Sequence, residues 1–176
     1  MGFLIDTNLW IAIERGQLSA ADIHAITRQA PVYLSPVNLA EIRFGIELMT
    51  DAKQHQRATA TLRRMRRKLL LRITGETAEV FGVLAAKLTR TGRGAAFRIQ
   101  NLWLAAQAVQ RDFTGLTANA KDFKDVPGLK LVVVKVPWWS RDRMGKMWRF
   151  ARDGVGDSRF DRLKALSLSK GNVAAP

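Results

Sequence analysis

Apolar positions along this chain follow two rhythms, and the alternation between them sets the expected architecture. Short apolar runs at residues 2–5, 32–34, 69–73, 114–117 and 131–136 have the length and character of buried strands. Between them the spacing changes to three and four, predicting helices over residues 9–14, from Ser19 onward, from Pro36 onward, over 51–68, 76–89 and 101–111. Leu39, Ile42, Ile46 and Met49 mark the apolar face of the third helix, and Val80, Val83, Leu84 and Leu88 that of the fifth. The punctuation agrees with this reading. Asp6 and Thr7 offer N-capping side chains, Ser19 with Asp22 reads as a capping box, and Ser35 before Pro36 is a strong start signal. Thr91-Gly92-Arg93-Gly94 breaks the fifth helix and opens a basic loop. Strands that alternate with helices imply an α/β domain: a central, mostly parallel sheet flanked by helices.

Size and charge refine the picture. A chain of 176 residues, 47% hydrophobic, can bury one good core and is short for two. After Pro137 the composition shifts to Trp138, Trp139, Trp148 and Phe150 interleaved with Arg141, Arg143, Lys146, Arg149 and Arg152. The expected division is therefore a domain over 1–137 and a basic, aromatic C-terminal extension over 138–176, partly disordered toward its Ser- and Ala-rich end. The extension carries nine basic and four acidic residues and the domain 20 and 11, so the excess charge is spread over both. A net charge of +14 favours an anionic partner, either nucleic acid or an acidic protein that masks the same surface. With no cysteine, disulfides and thiolate metal sites are excluded. No apolar run approaches the roughly 20 residues that span a bilayer. The N-terminus, Met1-Gly2-Phe3-Leu4-Ile5-Asp6, lacks the basic segment of a secretory signal, so the cytoplasm is the expected location.

The candidate chemistry lies where strands hand over to helices. Asp6 and Glu41 fall near junctions at the carboxyl ends of strands, where ligands of parallel α/β sheets sit. Acids in apolar segments repel one another and resist ionisation unless a cation neutralises them, which points to Mg²⁺ or Mn²⁺. Oxygen ligands without Cys or clustered His point away from zinc. A hard cation beside a basic surface suggests phosphodiester hydrolysis.

Four segments in order carry a family likeness: Leu4-Ile5-Asp6-Thr7-Asn8, Leu39-Ala40-Glu41-Ile42-Arg43-Phe44-Gly45, Leu102-Trp103-Leu104-Ala105-Ala106-Gln107-Ala108 and Thr117-Ala118-Asn119-Ala120-Lys121-Asp122-Phe123. Over roughly residues 1–137 the chain resembles the PIN-domain ribonucleases, specifically the VapC-like toxins of bacterial type II toxin–antitoxin modules. The resemblance implies a PIN fold, Mg²⁺-dependent endoribonuclease activity on an RNA substrate, a homodimer, and inhibition by a cognate antitoxin whose tail enters the active-site groove. Asp6 and Glu41 match the first two family acids, and Asp122, with Asn119 beside it, the region of the fourth. The third family acid is Asn101 here. An amide keeps a neutral oxygen for a metal but removes one negative charge, so the expected activity is attenuated or absent. Thr7, Thr117 and Asn119 are the candidates for supporting the acids or orienting water, and Arg43, Arg93 and Arg98 for weak RNA contact. The alternative is a catalytically dead PIN protein that binds RNA or sequesters an antitoxin.

Plainer readings stand beside these. Asp6 and Asn101 are each good helix N-caps. The run Arg63 to Lys68 reads as a solvated helix face or an RNA contact, and His24 and His55 as surface residues on polar helices. The aromatic and basic extension suits stacking on bases or a protein interface.

Overall fold

A single parallel sheet organises the computed structural model, which describes residues 1–92 and 99–136. Strands β1 (Phe3–Ile5), β2 (Val32–Tyr33), β3 (Thr114–Thr117) and β4 (Lys130–Val133) lie in the order β2-β1-β3-β4, every pairing parallel. Around them pack α1 (Thr7–Glu14), α2 (Ala20–Thr27), α3 (Pro36–Glu47), α4 (Ala52–Met65), α5 (Gly75–Arg90) and α6 (Ile99–Gln110), with a 3₁₀ turn at Ala120–Asp122. The expected α/β class, with helices flanking a parallel sheet, is what forms. Arg93, Arg98 and the extension 138–176 lie outside the described residues.

Local chemistry explains most of the boundaries. Ser19 and Asp22 close a reciprocal capping box at α2, as their spacing suggests. Ser35 and Asn38 do the same at α3, with Pro36 in the first turn. Helix α1 ends in a Schellman pattern: the Gly16 amide donates to Ile13, the Gln17 amide to Ala12, and Gly16 takes φ +68.

The sheet is buried on both faces. Leu4 enters a core with Leu84, Leu88, Leu102 and Leu104, whereas Ile5 enters a second with Leu9, Leu34, Met65 and Leu116. Adjacent residues of one strand thus feed opposite cores, as the pleat requires. Gly2 is needed at the edge of this packing, because a Cβ there would stand 2.9 Å from the Phe113 ring.

Three details of the sequence reading are corrected. The run 69–73 forms no strand; it makes one parallel bridge, Leu34 to Leu70, and its next carbonyl, on Leu71, is taken by the Gln107 side chain at 2.6 Å. A side chain thereby replaces the ladder partner a strand would need. Val83 is 54% exposed and does not share the buried face of Leu84 and Leu88. Helix α6 starts at Ile99, so Asn101 sits in its first turn and is not its N-cap.

Candidate active site

The chain crosses from one side of β1 to the other between β2 and β3, and Asp6 follows β1 at that switch point. Crevices at the carboxyl ends of such strands are where parallel sheets hold ligands. Asp6 is buried at the N-cap of α1, yet its carboxylate makes no side-chain capping bond. It is held instead by side chains: Asn8 Nδ2 donates to Oδ2 at 2.6 Å and the Thr117 hydroxyl donates to the same oxygen at 2.7 Å.

Glu41 lies within α3, buried, and its Oε2 accepts the Thr7 hydroxyl proton. Thr7 in turn accepts from Asn38 Nδ2 at 2.8 Å. On the other side, Asn8 donates to Thr117 Oγ1 at 3.1 Å and accepts from the Ala118 amide, also at 3.1 Å. The Asn119 amide donates to Thr117 Oγ1, and Asn119 Nδ2 donates to Asp122 Oδ2 at 2.7 Å. One network of hydrogen bonds thus runs from Asp6 through Thr117 and Asn119 to Asp122. Thr7, Thr117 and Asn119 each hydrogen-bond to an acid: Thr7 to Glu41, Thr117 to Asp6 and Asn119 to Asp122.

Electrostatics ties the acids together. Burial pushes the Asp6 carboxyl up to about 6, with Thr117 and the nearby Thr7 and Asn8 amides pulling the other way and Asp122 adding repulsion. Burial likewise pushes Glu41 up to about 7, opposed by the Thr7 hydrogen bond and reinforced by Asp6. Among the described residues, no Lys or Arg figures in the interactions that set either acid. Two desolvated carboxylates that repel each other, without a basic partner, form a donor set suited to a hard cation.

Mg²⁺ takes few protein ligands, commonly one or two carboxylates completed by water and phosphate oxygens. Asp6 and Glu41 meet that requirement. Among the described residues no three His, Cys, Asp or Glu side chains gather closely enough to hold a metal by themselves. Asp122 is within electrostatic reach of Asp6 but remains half-buried on its own turn.

Asn101 is also half-buried and makes no hydrogen bond with the acids. It lies three and four residues before Leu104 and Ala105, which line a small cavity with Asp6 and Thr117. Helical spacing places Asn101 on that same face of α6. Arg43 is surface-exposed and ion-paired to Glu47, one turn on. In the basic run, Arg64 pairs with Glu14 of α1 while Arg63, Arg66, Arg67 and Lys68 are exposed, as are His24 and His55.

Asn8 and Asn38 are site residues that the sequence alone does not single out. Both stand inside the motifs that drew attention to their acidic neighbours, and both are buried amides whose side-chain oxygen and nitrogen each have a hydrogen-bond partner. A polar residue between apolar ones next to a candidate ligand was the available signal.

Similarity to known proteins places the chain in a family. A profile of the PIN domain matches residues 3–129, and the chain belongs to the PIN-domain family. It is 28% identical over 135 residues to a protein named Ribonuclease VapC from Rickettsia bellii (strain RML369-C), covering 76% of this chain and 97% of that one. Ribonuclease VapC1 of Rickettsia felis (strain ATCC VR-1525 / URRWXCal2) is 25% identical with the same coverage. Among solved structures, VapBC-5 of Mycobacterium tuberculosis, a member of the VapBC family of toxin–antitoxin systems, aligns with TM-score 0.61 at 27% identity, over 76% of this chain and 98% of that one. VapBC2 of Rickettsia felis, bound to a DNA fragment from its promoter, gives TM-score 0.64 at 21% identity, over 77% of this chain and all of that one, a likeness of fold.

Proposed function

We propose that this chain is the ribonuclease toxin of a toxin–antitoxin pair, an endoribonuclease that uses Mg²⁺ or Mn²⁺ and is attenuated or silenced by Asn101. The observation that carries the reading is the buried pair Asp6 and Glu41, both held above ordinary acid pKa values by burial and, among the described residues, with no basic side chain to neutralise them. A group so costly to ionise needs a cation to be useful. The relatives' names supply the reaction, and the neighbouring toxin–antitoxin complexes supply the class of partner.

In this reading Asp6 and Glu41 hold the cation, with Asp122 and the Asn101 amide oxygen as the remaining oxygen donors. When bound, such a cation supplies a water of lowered pKa and offsets charge on the phosphate. The chain's own residues do the positioning. Asn8 and Thr117 both engage Asp6 Oδ2, and Thr7 engages Glu41 Oε2, so one oxygen of each acid is committed to the scaffold. The Asn119 contact sets Asp122 in the same way. The net charge of +14 suits an RNA substrate and the masking of the same surface by an antitoxin. A homodimer in the cytoplasm completes the proposal.

The second reading, a PIN protein that binds RNA or an antitoxin without cutting, is favoured by Asn101, an amide where a carboxylate is expected. Mn²⁺ binding followed by electron paramagnetic resonance separates the two. The toxin reading expects one site whose affinity drops about tenfold or more in Glu41→Gln, the range for lost support around a bound metal. No site at millimolar Mn²⁺ would leave only the non-cutting reading.

A further inference from the structure

Resting on the reading of Asp6 and Glu41 as cation ligands, we infer that Asn38 is a positioning residue for Glu41, acting through the Thr7 hydroxyl. A directed chain of three hydrogen bonds supports it. The Ser35 backbone amide donates to Asn38 Oδ1 at 2.6 Å, Asn38 Nδ2 donates to Thr7 Oγ1 at 2.8 Å, and Thr7 Oγ1 donates to Glu41 Oε2. All four residues are buried, Ser35 and Asn38 completely.

The direction of the chain is set at its far end. A backbone N–H can only donate, so it fixes Asn38 with its oxygen toward Ser35 and its NH₂ toward Thr7. Thr7 then receives a proton from Asn38 and has one proton of its own to give. The oxygen of Glu41 takes it. A flipped Asn38 amide would set NH₂ against N–H at one end and leave Thr7 without a donor at the other. The capping box of α3 therefore does two jobs: it starts the helix that carries Glu41, and it orients the hydroxyl that holds Glu41 in place. With Oε2 occupied by Thr7, Oε1 is the oxygen left without a side-chain donor among the described residues.

Asn38→Asp isolates this role. An aspartate still accepts from the Ser35 amide, so the cap survives, but it can no longer donate to Thr7, whose proton turns toward the new carboxylate. The full chain is assayed for Mn²⁺ affinity as the wild type, Asn38→Asp, Thr7→Val and the double variant. Asn38→Asp is expected to weaken Mn²⁺ about tenfold in the wild-type background. In the Thr7→Val background it is expected to leave affinity unchanged or raise it, since only the added negative charge remains. Equal losses in both backgrounds would overturn the inference, because Asn38 would then not act through Thr7.

A second measurement on the metal-free wild-type fold keeps the inference separable from the metal reading. The Asn38 side-chain NH₂ resonance, assigned by its loss in Asn38→Asp, is expected to shift in Thr7→Val and, more weakly, in Glu41→Gln. An Asn38 signal indifferent to Thr7→Val removes the chain of bonds itself. If Mn²⁺ affinity ignores Asp6→Asn and Glu41→Gln while the NH₂ signal responds to Thr7→Val, the relay stands and the metal reading alone fails.

Discussion

Thr117 donates its hydroxyl proton to Asp6 Oδ2 at 2.7 Å, joining the ends of β3 and β1 across 111 residues of sequence. The Thr117 hydroxyl oxygen itself accepts from the Asn119 amide, which opens the turn bearing Asp122. Thr117→Val removes a donor to a buried acid and an acceptor for a backbone amide, with little change of shape. The expected cost is about 1–3 kcal/mol in urea unfolding, the range for stranding buried polar groups. The Asp6 carboxyl should also rise further, since Thr117 opposes its upward shift.

The raised acids make stability depend on pH in a defined direction. Asp6 and Glu41 hold protons more tightly folded than unfolded, being raised to about 6 and about 7. Their contribution is complete below about pH 4 and is lost as pH rises through 6 and 7. Metal-free protein should therefore lose up to roughly 3 kcal/mol per acid across that window, before any relaxation. Saturating Mn²⁺ should remove much of the loss, and Asp6→Asn should raise metal-free stability at pH 8. Urea titrations from pH 4 to 8, with chelator and with Mn²⁺, read both effects.

Gly2 offers a test of the packing that fixes β1 and hence Asp6. A Cβ at Gly2 would lie 2.9–3.0 Å from three atoms of the Phe113 ring, which also stacks on Tyr33 with centroids 5.2 Å apart. Gly2→Ala should cost about 1–3 kcal/mol, the range for overpacking. Phe113→Leu in the same chain should recover part of it, and thermal melts of the single and double variants check the coupling.

The legible part of this protein was the part written in local rules. Ser19, Ser35 and Pro36 announced their helices because capping needs only neighbours, and the short apolar runs announced a sheet buried on both faces. The segment 69–73 has the same apolar character as the true strands, but whether it joins the ladder depends on Gln107, 36 residues from Leu71, which no local pattern carries. The acids were visible as charges in apolar surroundings. Their supports were harder to see: Asn8 and Asn38 owe their roles to partners brought together by the sheet, Thr117 for the first and Thr7 for the second. Asp6 misled for a related reason, since its position is that of a cap while its carboxylate serves Asn8 and Thr117.

The measurement that bears most directly on the proposed activity is RNA cleavage under Mn²⁺ or Mg²⁺ by the wild type, Asn101→Asp, and Asn101→Asp combined with Asp6→Ala. A carboxylate at position 101 would lie on the face of α6 that carries Leu104 and Ala105, three and four residues on, which line the cavity with Asp6. The wild type should cut slowly or not at all, Asn101→Asp about a hundredfold faster or more, equivalent to roughly 3 kcal/mol of transition-state stabilisation. The added Asp6→Ala should abolish cutting, and chelator should abolish it in every chain. Cleavage by Asn101→Asp that survives both chelator and Asp6→Ala, or no cleavage by any of the three, would contradict the account.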